Sequence, residues 1–301
     1  MSTADVVPAD WLARIARLPA GGGPSGAEWA RRAPRLLDEA VEAWGLRPTG
    51  PGRAGWTAVV VPVERDGERL ALKMGWPHSE SAAEHLALRR WAGEGAVRLV
   101  AADPARGALL LEWLDATRDL RGPDIDTACE VIGGLIARLH VPAPPTVPSL
   151  SERVRRFMGR LATREDIPRR VVARVTGLAV ELVAEPDVDA TLVHGDLHFE
   201  NVLAGEREPW LAIDPKPLAG HPAFEIQPLL GNRVDELGAG SSFRWGVRRR
   251  LAVTAEAAGI DEEAARLWSI VRTGIGALWA AEGGDAEALS LHIALLKALE
   301  D

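Results

Sequence analysis

The spacing of apolar residues changes once along this chain of 301 residues, close to position 113. Before that point the apolar residues form short runs rich in β-branched side chains, such as Thr57–Val63, separated by turn sequences. After it they recur at helical spacing over long stretches, as in Asp124–His140. The pattern predicts an α+β protein with a small N-terminal lobe built on an antiparallel sheet and a larger, mainly helical C-terminal lobe.

The N-terminal lobe is predicted to span residues 1–113. Ser25 and Glu28 form a capping box, which marks the start of a helix, and Asp66-Gly67 is a strong hairpin signal between two apolar runs. The expected elements are a helix at 27–44, strands at 57–63 and 69–74, a helix at 81–91, and strands at 97–101 and 108–112.

The C-terminal lobe is predicted to span residues 114–301. Its helices enclose a group of three short apolar runs that are edged by polar residues, which is typical of small strands. The expected elements are helices at 124–140, 150–161 and 167–184, strands at 191–193, 202–203 and 210–213, and four helices from residue 223 onward.

Charge and composition exclude several classes of function. A formal charge of −8 argues against a general nucleic-acid binder. No apolar run reaches the roughly 18 residues that a membrane span needs. Cys129 is the only cysteine, so an internal disulfide is impossible. We therefore expect a cytoplasmic protein with neither a nucleic-acid nor a membrane partner, while the oligomeric state stays open.

Six residues able to carry chemistry gather among the short strands of the C-terminal lobe. Phosphoryl transfer needs a group that accepts the proton of the attacking hydroxyl, and oxygen ligands for magnesium. Asp196 is the candidate base, and Asn201 and Asp214 are the candidate ligands of Mg²⁺. The six residues are His194, Asp196, His198, Glu200, Asn201 and Asp214.

Three alternatives compete with this interpretation of the polar residues. They could satisfy a turn between strands, and this is the usual explanation for a single Asp in a loop. His194, Asp196 and His198 could instead bind zinc in a hydrolase, although Asn201 is a poor zinc ligand. A pseudokinase that only binds its ligands is the third alternative, and it would not need all four of the residues Lys73, Asp196, Asn201 and Asp214.

The N-terminal lobe supplies candidate nucleotide-binding residues. The segment Gly50–Gly55 has G-x-G-x-x-G spacing and precedes a strand, as a kinase glycine-rich loop does, so Gly52 and Gly55 are candidates; a flexible connector is the alternative. Lys73 lies in an apolar strand, where its charge requires a phosphate or carboxylate partner. Glu84 is the expected partner, unless it closes a capping box with Ser81.

The boundary between the lobes is a candidate hinge. Backbone groups near Glu112 and Leu114 are placed to hydrogen-bond to adenine, although any linker between lobes would look similar.

These residues together resemble the aminoglycoside phosphotransferase family, relatives of the protein kinases, and within it the streptomycin 6-kinase and hydroxyurea phosphotransferase group. The resemblance covers nearly the whole chain and is most specific in two stretches. These are Leu192–Leu203, with His-Gly-Asp and Asn201, and Trp210–Lys216, with Ile-Asp-Pro. Weaker matches lie at 71–73, 95–99 and 109–112.

The resemblance implies a protein-kinase-like fold, ATP and Mg²⁺ as cofactors, Asp196 as base, Asn201 and Asp214 as metal ligands, and Lys73 with Glu84 as the phosphate-positioning pair. Two positions depart from the group: His221 stands in Gly-His-Pro where Gly-Asp-Pro is usual, and Glu225 stands where an Asp usually braces the catalytic loop.

The implied reaction transfers the γ-phosphate of ATP to a hydroxyl of a cationic aminoglycoside, foremost the 6-hydroxyl of streptomycin, and so confers antibiotic resistance. The alternative is a kinase of another small metabolite, such as a sugar, a choline-like alcohol or hydroxyurea. Acids and tryptophans late in the chain could face a cationic acceptor: Asp235, Glu236, Trp245, Glu256, Trp268 and Trp279.

Overall fold

The computed structural model describes residues 6–20 and 23–300 of the chain. They form two compact units. The first contains the described residues up to Ala116 together with Ala204–Pro209, and the second contains Thr117–Leu203 and the chain from Trp210 onward. Among the described residues, no helix is both long and apolar enough to cross a lipid bilayer.

The first unit is built on an antiparallel sheet. Asp66 and Gly67 both adopt positive φ (52° and 82°), as a two-residue hairpin turn requires, and join its two longest strands. A split edge strand, β1 and β2, pairs along β3, and the order then continues through β4, β6 and β5. The strands are β1 (Arg47–Pro48), β2 (Arg53–Ala54), β3 (Ala58–Arg65), β4 (Glu68–Gly75), β5 (Leu99–Asp103) and β6 (Ala108–Glu112).

Two helices cover one face of this sheet. They are α1 (Ala9–Ile15) and α2 (Gly26–Ala43), and the predicted capping box of Ser25 and Glu28 begins α2. Trp11 and Trp29 pack edge to face with ring centroids 5.6 Å apart. Both rings belong to a buried cluster that also includes Val59, Val61 and Leu72 of the sheet, so helices and sheet share one apolar core. A third helix, α3 (Glu84–Trp91), follows β4.

The second unit is mainly helical, as the sequence predicts. Its helices are α4 (Ile125–Leu139), α5 (Leu150–Leu161), α6 (Arg169–Leu182), α7 (Gln227–Leu230), α8 (Ser241–Ala258), α9 (Glu262–Gly283) and α10 (Ala286–Leu299). Its short strands are β8 (Val141–Pro142), β9 (Thr191–Val193), β10 (Val202–Ala204), β11 (Leu211–Ala212) and β12 (Leu218–Gly220), and β7 (Asp115–Asp119) lies where the two units meet in sequence. Strand β9 pairs with β8 and β12, and β10 pairs with β11.

Candidate active site

Lys73 and Glu84, predicted as a pair, are in contact in the first unit. Lys73 Nζ lies 2.6 Å from Glu84 Oε1, and the two residues are only 8% and 5% exposed. Strand β4 places Lys73 between β3 and β6, where it faces Val60 and Leu109. Both residues line a cavity of about 70 Å³. Glu84 thus supplies the carboxylate partner that a buried lysine requires, and phosphate binding by Lys73 stays a prediction.

The alternative role for Glu84, a capping box with Ser81, is wrong. Helix α3 begins at Glu84 rather than at Ser81, and its N-cap residue Ala83 makes no side-chain cap. The Ser81 hydroxyl hydrogen-bonds to His78 instead. Because the ion pair with Lys73 occupies the Glu84 carboxylate, the helix starts later than its sequence pattern predicts.

The glycine-rich segment is fixed by the N-terminal residues of the chain. Gly52 N–H donates to Val6 O at 2.8 Å, and Gly55 N–H donates to Ala58 O at 2.7 Å. Arg14 donates to the carbonyls of Gly55 and Trp56 and lies over the Trp56 ring. The amides of both glycines are therefore engaged within the protein. Nucleotide binding at Gly52 and Gly55 stays a prediction. Because the amides of both glycines are engaged, other backbone groups of the turn would have to donate to the nucleotide.

Glu112, predicted at the hinge, makes several contacts within its own unit. Its N–H donates to Arg98 O at 3.0 Å, and its carboxylate accepts from Arg98 N and from the Arg207 guanidinium. Leu114 is buried. These contacts within the first unit account for the position of the Glu112 side chain. Adenine binding near Glu112 and Leu114 stays a prediction.

In the second unit, Asp196 lies just after β9 on a turn that His194 organises. His194 is fully buried; its Nε2 donates to Ile213 O at 3.0 Å, and its Nδ1 accepts from Asp196 N–H at 3.3 Å. Burial lowers the pKa of His194 to about 4, so the ring is neutral. His194 therefore ties the turn carrying Asp196 to the segment carrying Asp214.

Glu225 braces the same turn, as its position in the resemblance implies. Its buried carboxylate accepts from His194 N–H at 2.8 Å and from Gly195 N–H at 2.7 Å. Burial raises the pKa of Glu225, while these two hydrogen bonds and the charge of Arg272 oppose that rise. Arg272 also donates to the carbonyls of Gly195 and Phe224. Glu225 thus makes the bracing hydrogen bonds that an Asp is expected to make at this position, although its side chain is longer.

Lys216 is a functional candidate that the sequence interpretation missed. Its Nζ lies 2.5 Å from Asp196 Oδ2, and its N–H donates to His194 O at 2.8 Å. A cation beside the candidate base matters because positive charge near a transferred phosphoryl group lowers the barrier to transfer. No local pattern marks Lys216; the available signal was its place two residues after Asp214.

Asn201 and Asp214 fit magnesium in the chemistry of their oxygen atoms. Asn201 Nδ2 donates to Asp196 O at 2.8 Å, which leaves its Oδ1 without a hydrogen bond among the described residues. Asp214 adopts φ 56°, a conformation uncommon outside glycine and enriched at functional sites. Mg²⁺ is commonly held by one or two protein oxygens together with substrate phosphates and water.

The zinc alternative does not fit this geometry. Both ring nitrogens of His194 are engaged within the protein. Across residues 6–20 and 23–300, no group of three or more His, Cys, Asp or Glu side chains is placed to hold a metal ion. The cluster at 194–201 is therefore not a zinc site of the predicted His-Asp-His type.

Asp196 lines a cavity of about 320 Å³ within the second unit. The lining includes a single carboxylate, that of Asp196, and two arginines, Arg153 and Arg272. Of the late acids and tryptophans suggested for an acceptor, Trp279 alone lines it. Trp268 is fully buried, and Trp245 is exposed beside Arg249. The acidic pocket expected for a dication is thus absent from this cavity.

Replacing Gly195 by Ala should damage both stability and catalysis. Gly195 has φ +78°, and an added Cβ would lie 2.1 Å from Lys216 O. Left-handed strain and the clash together should cost at least about 2 kcal/mol, measured by urea unfolding. The turn carrying Asp196 should shift, so kcat should fall as well. Gly177→Ala, at a helical position with open space, is the matched control and should be neutral or stabilising. Equal stability of the two variants would contradict the prediction.

Comparisons with known proteins identify one matching family and several similar sequences. Residues 43–284 match the family model described as aminoglycoside/hydroxyurea antibiotic resistance kinase. A hydroxyurea phosphotransferase of Kitasatospora aureofaciens is 43% identical over 292 residues, covering 92% of this chain and 82% of that protein. A streptomycin 6-kinase of Streptomyces glaucescens is 40% identical over 287 residues, covering 92% of each.

Among solved structures, a choline/ethanolamine kinase family protein from Mesorhizobium loti has a similar fold. The TM-score is 0.60 at 18% identity, and the match covers 88% of this chain and 99% of that one. At this identity the likeness concerns the fold alone. It confirms the protein-kinase-like architecture predicted from the sequence.

Proposed function

The chain belongs to the aminoglycoside/hydroxyurea antibiotic resistance kinase family, and from this membership we propose that it transfers the γ-phosphate of ATP to an aminoglycoside hydroxyl, the 6-hydroxyl of streptomycin. The observation that carries the proposal is Asp196, held on a braced turn at the wall of a cavity and paired with Lys216. Because ATP is the donor, the reaction is proposed to take place in the cytoplasm. Phosphorylation of the antibiotic is proposed to confer resistance, as the name of the family indicates.

In the proposed reaction the acceptor hydroxyl gives its proton to Asp196 while its oxygen bonds to the γ-phosphorus. The bond from that phosphorus to the bridging oxygen breaks, and its electrons leave with ADP. Lys73, held by Glu84, would position the α- and β-phosphates. Magnesium, held by Asn201 and Asp214, would neutralise charge on the phosphates.

Hydroxyurea is a second candidate acceptor, favoured by the charges of the cavity. Streptomycin carries two guanidinium groups, and the lining offers one carboxylate against two arginines. A compact neutral acceptor meets no such repulsion. The relative named as a hydroxyurea phosphotransferase, at 43% identity, also supports this candidate.

The deciding experiment incubates the purified protein with ATP, Mg²⁺ and a panel of acceptors. The panel holds streptomycin, hydroxyurea, other aminoglycosides, choline and simple sugars, and the readout is ADP release together with the mass of the product. Turnover of streptomycin with a phosphate on its 6-hydroxyl supports the proposal. Clear turnover of hydroxyurea without turnover of streptomycin would transfer the assignment to the second candidate.

A further inference from the structure

The cavity lined by Asp196 contains an unusual number of unsatisfied polar groups. Among the described residues, three of its lining side chains have a buried polar atom without a hydrogen-bond partner: His198 Nδ1, Asn232 Oδ1 and His292 Nδ1. Buried polar atoms without partners are uncommon in folded proteins, because each loses its hydration without compensation. Their concentration around one cavity points to a surface that is organised for binding rather than for stability.

Two of the three are histidines, His198 and His292, and the second ring nitrogen of each, Nε2, is not among the buried unpartnered atoms. His292 lies on α10, outside the segment 194–201 that carries Asp196. Nδ1 is buried and unpartnered, and Nε2 makes no hydrogen bond to any described residue. Since His292 lines the cavity and its Nε2 is not among the buried unpartnered atoms, Nε2 rather than Nδ1 is the candidate nitrogen for contact with a bound molecule.

Gly276, on α9, holds the His292 ring in place. A Cβ added at Gly276 would lie 2.4 Å from Cε1, 2.7 Å from Nε2 and 2.8 Å from Nδ1 of the ring. All three distances are shorter than 3.0 Å, and real Cβ atoms essentially never lie that close to another heavy atom. The ring therefore packs directly against the helix backbone of α9, in a position that any larger residue would deny it.

The His292 ring is uncharged near neutral pH. Burial lowers its pKa, and the negative charge of Asp285 opposes this shift only in part. A neutral imidazole has one donor and one acceptor nitrogen, so it suits a hydroxyl, carbonyl or amide, and unlike a carboxylate it offers no countercharge to a cationic group.

We propose that His292 is a specificity-determining residue of the acceptor site: its ring, held against Gly276, hydrogen-bonds through Nε2 to an uncharged polar group of the acceptor. The proposal rests on the proposed function, because it takes the cavity beside Asp196 as the acceptor site. Hydroxyls of an aminoglycoside and the carbonyl of hydroxyurea both belong to the chemical class that such a ring recognises.

The first test removes the ring. His292→Ala and His292→Gln are prepared in the full chain and assayed with whichever of streptomycin and hydroxyurea the wild-type protein phosphorylates. In His292→Ala the KM for the acceptor should rise about tenfold, as expected for one lost hydrogen bond, while kcat and the KM for ATP stay near wild type. His292→Gln, which keeps a donor and an acceptor, should recover part of the affinity.

The second test moves the ring without removing it. Gly276→Ala should raise the KM for the acceptor as His292→Ala does, and the double variant should be no worse than either single one, because both changes remove the same contact. Gly283→Ala is the matched control on the same helix; nothing lies within 4 Å of its added Cβ. It should keep wild-type kinetics.

The outcomes separate this inference from the proposed function. An unchanged acceptor KM in both His292→Ala and Gly276→Ala would overturn the inference while phosphoryl transfer stands. An equal loss of kcat for every acceptor, with a raised KM for ATP, would also overturn it, because a merely structural role predicts that result. If the wild-type protein phosphorylates neither acceptor, the proposed function fails, and the inference fails with it.

Discussion

Asp196→Asn is expected to abolish phosphoryl transfer while ATP still binds. The substitution keeps the size of the side chain, but an amide cannot accept the proton of the acceptor hydroxyl. A positioned base contributes about 10²- to 10⁴-fold to a rate, so kcat should fall by at least about 10²-fold. Steady-state ADP release measures kcat, and calorimetric titration with ADP measures nucleotide affinity, which should stay close to wild type because the change lies at the proton-accepting group.

Glu200→Gln is the matched control for this experiment. Glu200 belongs to the same segment, but it is exposed and pairs with Arg121 at the surface. Exposed ion pairs contribute about 0–1 kcal/mol, so both stability and kcat should be nearly unchanged. Wild-type turnover in Asp196→Asn would refute the assignment of the base.

Lys73→Met is expected to lower the free energy of unfolding by about 3–5 kcal/mol, because it removes the cation that pairs with the buried Glu84 carboxylate. Urea unfolding followed by circular dichroism measures the loss. Transfer activity should fall as well, since the cation proposed to position the phosphates is gone.

The double variant Lys73→Met with Glu84→Leu separates stability from activity. Replacing both members of a buried ion pair by apolar side chains is often neutral, so much of the stability should return. Activity should not return, because no cation is restored. A double variant that is both stable and active would show that the pair has a structural role only.

Element types follow from the sequence where the local signals are strong. The capping box at Ser25 and the turn at Asp66-Gly67 specify their elements through nearest-neighbour contacts, and both are confirmed. Helix α1 was not predicted, because it is short and its N-cap Pro8 provides no side-chain hydrogen bond. The start of α3 was misplaced, because a contact with Lys73, distant in sequence, outweighs the local preference of Glu84.

The residues of the candidate site likewise fall into those that the sequence indicates and those that only the fold brings together. The assignments of Asp196, Asn201 and Asp214 depend on residue type and spacing, which a sequence displays. The contact of Lys216 with Asp196 and the packing of His292 on Gly276 depend on how strands and helices fold back on each other. The place of Lys216 two residues after Asp214 is a signal in the sequence, but its contact with Asp196 is seen only in the structure.

The anchoring of the glycine-rich segment by Val6 and Arg14 bears on where the cooperative folding unit begins. The match to the family model starts at residue 43, yet α1 and α2 share the apolar core of the sheet. A fragment trimmed to the matched residues would expose the sheet face that Trp11 and Trp29 cover, and it would release the turn that precedes β3. The start of the family-model match and the start of the packed first unit therefore differ by two helices.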